Sequence, residues 1–111
     1  MGIDKSLEVQ HCETMAQVRA CIDAIDEKVF ELLAARSGYI AQAARIKQHV
    51  DQIVDLERVE FIVQRARQAM AAQDAPADIG EATYRTLIGA SIAFEKQEFA
   101  RLRGAKSKGF P

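Results

Sequence analysis

Two charged residues, Arg36 and Glu95, stand at positions where the apolar face of a predicted helix would otherwise continue. Burying an unpaired charge costs several kcal/mol, so each needs an oppositely charged partner or ligand. Lys47 follows Arg36 by 11 residues, which on one helix points the two side chains within about 20° of each other, roughly 16 Å apart along the axis. Two long cationic side chains at this spacing are suited to hold a small anion between them.

A third cation, Arg19, lies 17 residues before Arg36. This spacing places it roughly 25 Å away and about 100° around the same helix, so the two cannot share a small ligand within one chain. Arg19 reaches such a ligand only from the partner in an antiparallel dimer. Two competing interpretations stay open: Arg19 as an ordinary solvated cation, and Glu95 as a buried ion pair with Arg36 or Lys47.

The remaining motifs favour a reaction without covalent catalysis. The sequence contains no glycine-rich phosphate loop, no HExxH or GxSxG motif and no evident pair of nucleophile and base. What it offers is several cations, one or two carboxylates and an apolar helical cage, which suit a small dicarboxylate substrate. Arginine side chains bind carboxylates in a bidentate manner, and catalysis would come from holding a reactive conformer and stabilising developing charge.

The cations depend on a long first helix. The run from Met15 to Val50 has no proline and a single glycine, and its apolar residues recur at spacings of three and four. We call these residues the apolar stripe: Met15, Val18, Ile22, Ile25, Val29, Leu32, Tyr39, Ala43, Ile46 and Val50. The pattern predicts a helix from an N-cap at Thr14, with Gln17 completing a capping box, to about His49. At roughly 50 Å it is too long for its own chain to cover, so we expect an intertwined homodimer.

Two shorter helices are predicted to follow. Asp55 is a suitable N-cap for a helix over roughly 55–73, and Asp78 is expected to cap a third, with Glu81 at the capping-box position, running to about Arg103. The apolar positions are Leu56, Val59, Val63, Ala66 and Met70 on the second helix and Tyr84, Ile88, Ser91 or Ile92, Phe99 and Leu102 on the third. The predicted fold class is therefore all-α, with residues 1–13 a flexible arm, 14–103 the helical domain and 104–111 a flexible tail.

Composition narrows the class of protein. The chain has 111 residues, 49% hydrophobic and 28% charged, with a net charge of −1, which fits one folded domain and gives no indication of a nucleic-acid or membrane partner. Cys12 and Cys21 form no metal-binding pattern, and we expect neither a metal nor a cofactor. The sequence has no apolar run of membrane-spanning length and no signal-peptide core, which favours a cytoplasmic protein.

Several of these segments together resemble the all-helical, type II chorismate mutase family. They are RACIDAID at 19–26, LLAAR at 32–36, AARIK at 43–47 and DLER at 55–58, continued by Ser91 and Glu95 on the third helix. The resemblance covers about residues 14–103. It implies conversion of chorismate to prephenate by a Claisen rearrangement, a step of the shikimate pathway to aromatic amino acids. It also implies a homodimer of three-helix chains with two active sites, each built from both chains.

The resemblance further implies residue roles. Arg36 and the partner's Arg19 would bind the two substrate carboxylates, and Lys47 would donate to the ether oxygen and a carboxylate. The supporting positions are Arg58, which would orient the site, Asp55, near the ring hydroxyl, and Ser91, near a carboxylate. Glu95 would face the ether oxygen, where family members carry Gln or Glu. Since an ionised carboxylate has no proton to donate, we expect activity to favour mildly acidic pH and Glu95→Gln to keep activity at higher pH.

One departure keeps the substrate open. Val59 stands where many family members have a Glu that contacts the ring hydroxyl. An apolar residue after Arg58 also resembles the isochorismate-pyruvate lyase branch, which makes salicylate and pyruvate from isochorismate, and aminodeoxychorismate mutases form a third branch. The alternative outside enzymes is a helical dimerisation or binding module, in which the charges on the apolar faces only fix helix register.

Overall fold

The computed structural model describes residues 7–104, so residues 1–6 of the predicted arm and residues 105–111 of the predicted tail lie outside the described range. The chain forms α1 (Met15–Ile46), a short 3-10 helix (Val50–Gln52), α2 (Leu56–Ala72) and α3 (Ala77–Leu102). No strand occurs between residues 7 and 104, which confirms the all-α prediction. None of the described helices combines the length and apolar character that crossing a membrane requires.

Local capping explains where the first two long helices begin. The main-chain nitrogen of Gln17 donates to Thr14 Oγ1 at 3.1 Å, and that of Thr14 donates to Gln17 Oε1 at 3.2 Å. This is the predicted capping box, which satisfies two main-chain donors at the start of α1. Asp55 is the N-cap of α2, as predicted, because its Oδ1 accepts from the main-chain nitrogen of Arg58 at 3.0 Å.

The prediction that Asp78 caps α3 is wrong. Its N-cap is Pro76, which makes no side-chain capping bond, and Asp78 already lies inside the first turn. The carboxylates of Asp78 and Glu81 instead accept from Arg67 Nη1 of α2, at 2.9 and 2.8 Å. In the contact with Arg67 both partners are charged, whereas in a cap bond to a main-chain N–H only the carboxylate is, so the facing helix determines where these carboxylates point.

The first helix also ends three residues earlier than the predicted His49. The main-chain nitrogen of Lys47 still donates to the carbonyl of Ala43 at 2.9 Å, but Gln52 Oε1 then accepts from the main chain of Gln48 and His49, at 2.8 and 2.9 Å. Ile53, only 5% exposed, anchors the turn in the core. A side-chain cap and a buried anchor thus replace the last helical turn.

The chain separates into two compact units, Met1–Arg36 and Ser37–Pro111, which we call the N-terminal and C-terminal units. In the C-terminal unit α2 packs against α3, with Val63 and Ile88 buried. Gly80 allows this approach, since a Cβ there would lie 2.7 Å from Met70 Cγ and 3.0 Å from the carbonyl oxygen of Ala66. The core of this unit therefore depends on close contact between two helices.

In the N-terminal unit the structure describes arm residues 7–13, the N-cap Thr14 and the first part of α1. No residue between 7 and 36 is buried. The apolar stripe is exposed here, for example 51% at Ile22 and 69% at Leu32. Arm residues 8–12 line a shallow cleft together with Val18, Ile22 and Ile25 of α1. This helix surface is apolar without being part of a core.

Candidate active site

A buried carboxylate and an ammonium meet where α1 ends against α3. Glu95 of α3 is 4% exposed, and its Oε2 lies 2.9 Å from Nζ of Lys47, the residue directly after α1. The structure thus pairs two of the predicted catalytic residues. Lys47 is also one of the two partners that the competing ion-pair interpretation of Glu95 allowed. The pairing explains how Glu95 is accommodated in the interior, because each charge partly compensates the desolvation of the other.

The contact is an ion pair rather than a well-directed hydrogen bond. Glu95 Oε2 has no hydrogen-bond partner among the described residues, even though the ammonium is close. The side chain of Lys47 is 29% exposed, so one side of the pair faces solvent. An ammonium has three donors, and this geometry leaves Lys47 able to bind an anionic or ether oxygen while remaining beside Glu95.

Lys47 is also fixed at its main chain, by a residue that the sequence did not identify as part of the site. Arg103, the last residue before Gly104, donates from Nη2 to the carbonyl oxygen of Lys47 and from Nη1 to that of Ala44 at 3.0 Å. The only signal in the sequence is that Arg103 follows the aromatic Phe99 by four residues. That spacing predicts a contact within one helix, not a contact to the end of another.

The remaining predicted cations of α1, Arg19 and Arg36, lie in the N-terminal unit. Arg19 is exposed and Arg36 is half-buried. The helix is unbroken between them, so their separation along its axis is roughly 25 Å, as expected from the sequence. The two guanidiniums of a single chain are therefore too far apart to bind the same small molecule. The proposed joint role of these two residues stays a prediction.

The predicted supporting residues of α2 lie at its first turn. Asp55 uses one carboxylate oxygen for the helix cap, which leaves the other oxygen for a ligand hydroxyl. The guanidinium carbon of Arg58 is 5.4 Å from the ring centroid of Phe61, a cation–π contact that directs the side chain along the helix. Val59, the residue that departs from the family pattern, is half-buried.

Ser91 is half-buried on α3, one helical turn before Glu95. Residues four apart on a helix lie on the same face, so its hydroxyl is on the side of α3 that carries Glu95. Within residues 7–104, no three His, Cys, Asp or Glu side chains are grouped as a metal site would require. The described groups are thus cations, carboxylates and a hydroxyl, suited to binding and polarising an oxygen-rich anion.

An all-helical chain with this pair of charges fits the class of enzyme that the sequence resembles. Residues 18–96 match the family model for chorismate mutase type II, which covers more than half of the chain, and the chain therefore belongs to this family. The chain is also 30% identical over 97 residues to a protein of Methanocaldococcus jannaschii named chorismate mutase. That alignment covers 86% of this chain and 98% of the archaeal protein, so it is not confined to one motif.

Proposed function

We propose that this chain is a chorismate mutase that converts chorismate to prephenate by a Claisen rearrangement. The observation that carries the proposal is the contact of 2.9 Å between Lys47 Nζ and buried Glu95 Oε2, in a chain that belongs to the chorismate mutase type II family. This arrangement holds a hydrogen-bond donor beside a carboxyl group. A pericyclic isomerisation is accelerated by such a donor and needs no covalent intermediate.

The reaction breaks one carbon–oxygen bond and forms one carbon–carbon bond within the same molecule, and no proton is gained or lost. As the carbon–oxygen bond lengthens, negative charge grows on the ether oxygen. The ammonium of Lys47 donates a hydrogen bond to this oxygen more strongly in the transition state than in the ground state, which lowers the barrier. Arg36 and the partner's Arg19 bind the two carboxylates and hold the folded conformer in which the reacting carbons meet.

Glu95 has two tasks in this proposal. As a carboxylate it orients the Lys47 ammonium, as the observed ion pair illustrates. Once protonated it donates a second hydrogen bond to the ether oxygen, and this requirement gives the preference for mildly acidic pH. A glutamine at position 95 has an N–H donor at every pH, so the Glu95→Gln enzyme retains activity where that of the wild type declines. A pH–rate profile in which both decline together would remove this role.

The homodimer with shared sites is part of the proposal. It is supported by the exposed apolar stripe of the N-terminal unit, which offers a surface for a partner helix. It is supported also by the separation of Arg19 from Arg36. Because one chain cannot bring both to the same substrate, the arginine that binds the second carboxylate would come from a second chain. We further propose that the enzyme acts in the cytoplasm, in aromatic amino acid biosynthesis.

A second candidate activity, cleavage of isochorismate to salicylate and pyruvate, is favoured by Val59. This half-buried residue provides no acceptor for a ring hydroxyl on the first turns of α2. Val59→Glu is the informative variant, because it restores an acceptor at that position. If the residue at position 59 contacts the ring hydroxyl of chorismate, the substitution lowers KM for chorismate and raises KM for isochorismate.

The test is an assay with each substrate in turn. Loss of chorismate absorbance with formation of prephenate supports the mutase, and salicylate plus pyruvate from isochorismate supports the lyase. Lys47→Ala serves as the site control, and Lys96→Ala removes an exposed ammonium from the neighbouring position on α3. Turnover of neither substrate by the wild-type protein would refute both activities and favour a helical binding module.

A further inference from the structure

One side chain of the α3 C-terminus, Arg103, binds the end of α1. Its Nη1 donates to the carbonyl oxygen of Ala44 at 3.0 Å, and its Nη2 donates to that of Lys47. The last carbonyls of a helix have no partner within the helix, and they form the negative end of its dipole. The guanidinium of Arg103 therefore satisfies these acceptors by hydrogen bonding and by charge.

The guanidinium is itself held by α3. Its central carbon lies 3.6 Å from the ring centroid of Phe99, and Nη1 also approaches the Phe99 carbonyl oxygen at 3.4 Å. A guanidinium stacked on an aromatic face is confined to the plane of that face. The two donors that reach α1 are thus aimed by a rigid support rather than by a freely rotating side chain.

These contacts mean that α3 holds Lys47 at both ends. The carboxylate of Glu95 contacts its ammonium at 2.9 Å, and Arg103 contacts its main-chain carbonyl. We propose that Arg103 is a positioning residue, which acts through the main chain of Lys47 to place the ammonium against the breaking ether bond. The inference rests on the proposed function. Arg103 lies beyond residue 96, where the match to the family model ends.

The physical reason is the steep dependence of catalysis on geometry. A displacement of about 1 Å at a catalytic group is enough to cost on the order of 100-fold in rate. Lys47 follows the last residue of α1, where a helix end frays easily, and its ammonium is at the end of a flexible four-carbon chain. Fixing its main chain removes one source of that displacement, and the contact with Glu95 restrains the other end.

The first test compares variants in steady-state kinetics. Arg103→Met keeps the apolar stem and removes the donors, and we expect kcat to fall about 10- to 100-fold with KM changed less than about threefold. Arg103→Lys should recover part of the loss, since an ammonium can donate to one carbonyl but cannot donate to two in the bidentate manner of a guanidinium. Arg101→Met is the matched control, because that guanidinium pairs with Glu98 on its own helix, and it should retain wild-type kcat.

The second test asks whether Arg103 acts through Lys47. In a Lys47→Ala background, Arg103→Met should lower kcat no further, because the group that it positions is already absent. Multiplicative losses in the double variant would overturn the proposal. A folded Arg103→Met variant with the kcat of the wild type would also overturn the proposal.

A readout that needs no turnover separates this inference from the proposed function. The NMR signal of the Lys47 ε-carbon should shift in Arg103→Met and stay in place in Arg101→Met. If Arg103→Met does not fold, Arg103→Lys gives the same comparison. An active wild-type enzyme with an unchanged Lys47 signal in the variant overturns only the positioning role. A wild-type chain inactive on both substrates overturns the proposed function, and the positioning role with it.

Discussion

The N-terminal and C-terminal units use apolar residues in opposite ways. Every buried residue of the described chain lies between residues 37 and 104, where α2 and α3 pack on each other. Between residues 7 and 36 the apolar stripe remains open to solvent, and its helix has the same three-and-four spacing as a core helix. One unit thus has a core of its own, and the other presents an exposed apolar surface, which the proposed partner chain would cover.

The proposed catalytic groups divide along the same boundary. Lys47 and Glu95 belong to the unit with the packed core, where a buried charge pair is held by surrounding structure. Arg19 and Arg36 belong to the unit with the exposed stripe. In the proposed site, the oxygen-polarising groups therefore lie within one chain, whereas the two carboxylate-binding arginines are proposed to come from two chains.

The largest expected effect is the loss of one cation from either unit. Lys47→Ala and Arg36→Ala should each lower kcat/KM at least about 100-fold, because each removes a preorganised donor to substrate. Lys96→Ala and Arg45→Ala, which remove exposed cations from α3 and α1, are the matched controls. Near-normal rates for either site variant would overturn the assignment of that residue to the site.

The next effect concerns association through the apolar stripe. Ile22→Glu should weaken the dimer at least about tenfold, because the interface loses the burial of an isoleucine side chain and gains a charge. Ala20→Glu adds the same charge about 160° around α1 and should leave association unchanged. Sedimentation equilibrium measures both. Equal affinities for the two variants would mean that the stripe is not the interface.

Within the C-terminal unit, two glycines of α3 separate tight packing from open surface. Gly80→Ala should lower the free energy of unfolding by about 1–3 kcal/mol, because its Cβ would overlap Met70 and Ala66. Gly89 has no atom within 4 Å of an added Cβ, so Gly89→Ala should raise stability by about 0.5–1 kcal/mol. Denaturant titration provides both values. A shift of the same sign in both variants would contradict the observed packing.

The smallest effect is the pH dependence of the ion pairs that Glu81 forms, one with Arg85 within α3 and one with Arg67 of α2. Hydrogen bonds from Arg85 and then Arg67 lower the pKa of Glu81 below its ordinary value of 4.5. The stability from this carboxylate is therefore present above about pH 4.5 and is lost as pH falls through the lowered pKa.

Glu81→Gln tests this dependence through the melting temperature. The variant should melt slightly below wild type at pH 7, by less than Gly80→Ala does, and the difference should vanish in acid. Glu31→Gln removes one exposed carboxylate from α1 as a control. A difference between Glu81→Gln and wild type that grows in acid would reverse the expected sign.

Sequence reasoning succeeded where the structure is decided locally. The caps at Thr14 and Asp55 involve residues three positions apart, and the three-and-four spacing identified all three long helices. It failed where a distant residue competes. Arg67 of α2 binds the carboxylate of Asp78, which the sequence had assigned to the cap of α3. The earlier end of α1 is a separate, local failure, because Gln52 lies only three residues after His49.

The same distinction applies to the site. Lys47 and Glu95 were recognisable because each is a charge at or beside an apolar face, and their pairing was one of the alternatives that the sequence left open. Arg103 was not recognisable, because its importance arises only when α3 brings it against the carbonyls of Ala44 and Lys47. Helical periodicity indicates which residues share a face but not which helix end meets another.

The shared site is tested most directly by subunit complementation. Arg19→Ala and Lys47→Ala chains, each inactive alone, are mixed in equal amounts and allowed to exchange, with exchange confirmed by mass-tagged subunits. Half of the dimers are then mixed, and each mixed dimer holds one site with an intact Arg19 and an intact Lys47. We predict recovery of about one quarter of wild-type activity, the value for two equivalent sites related by twofold symmetry. No recovery after confirmed exchange would show that each site belongs to a single chain.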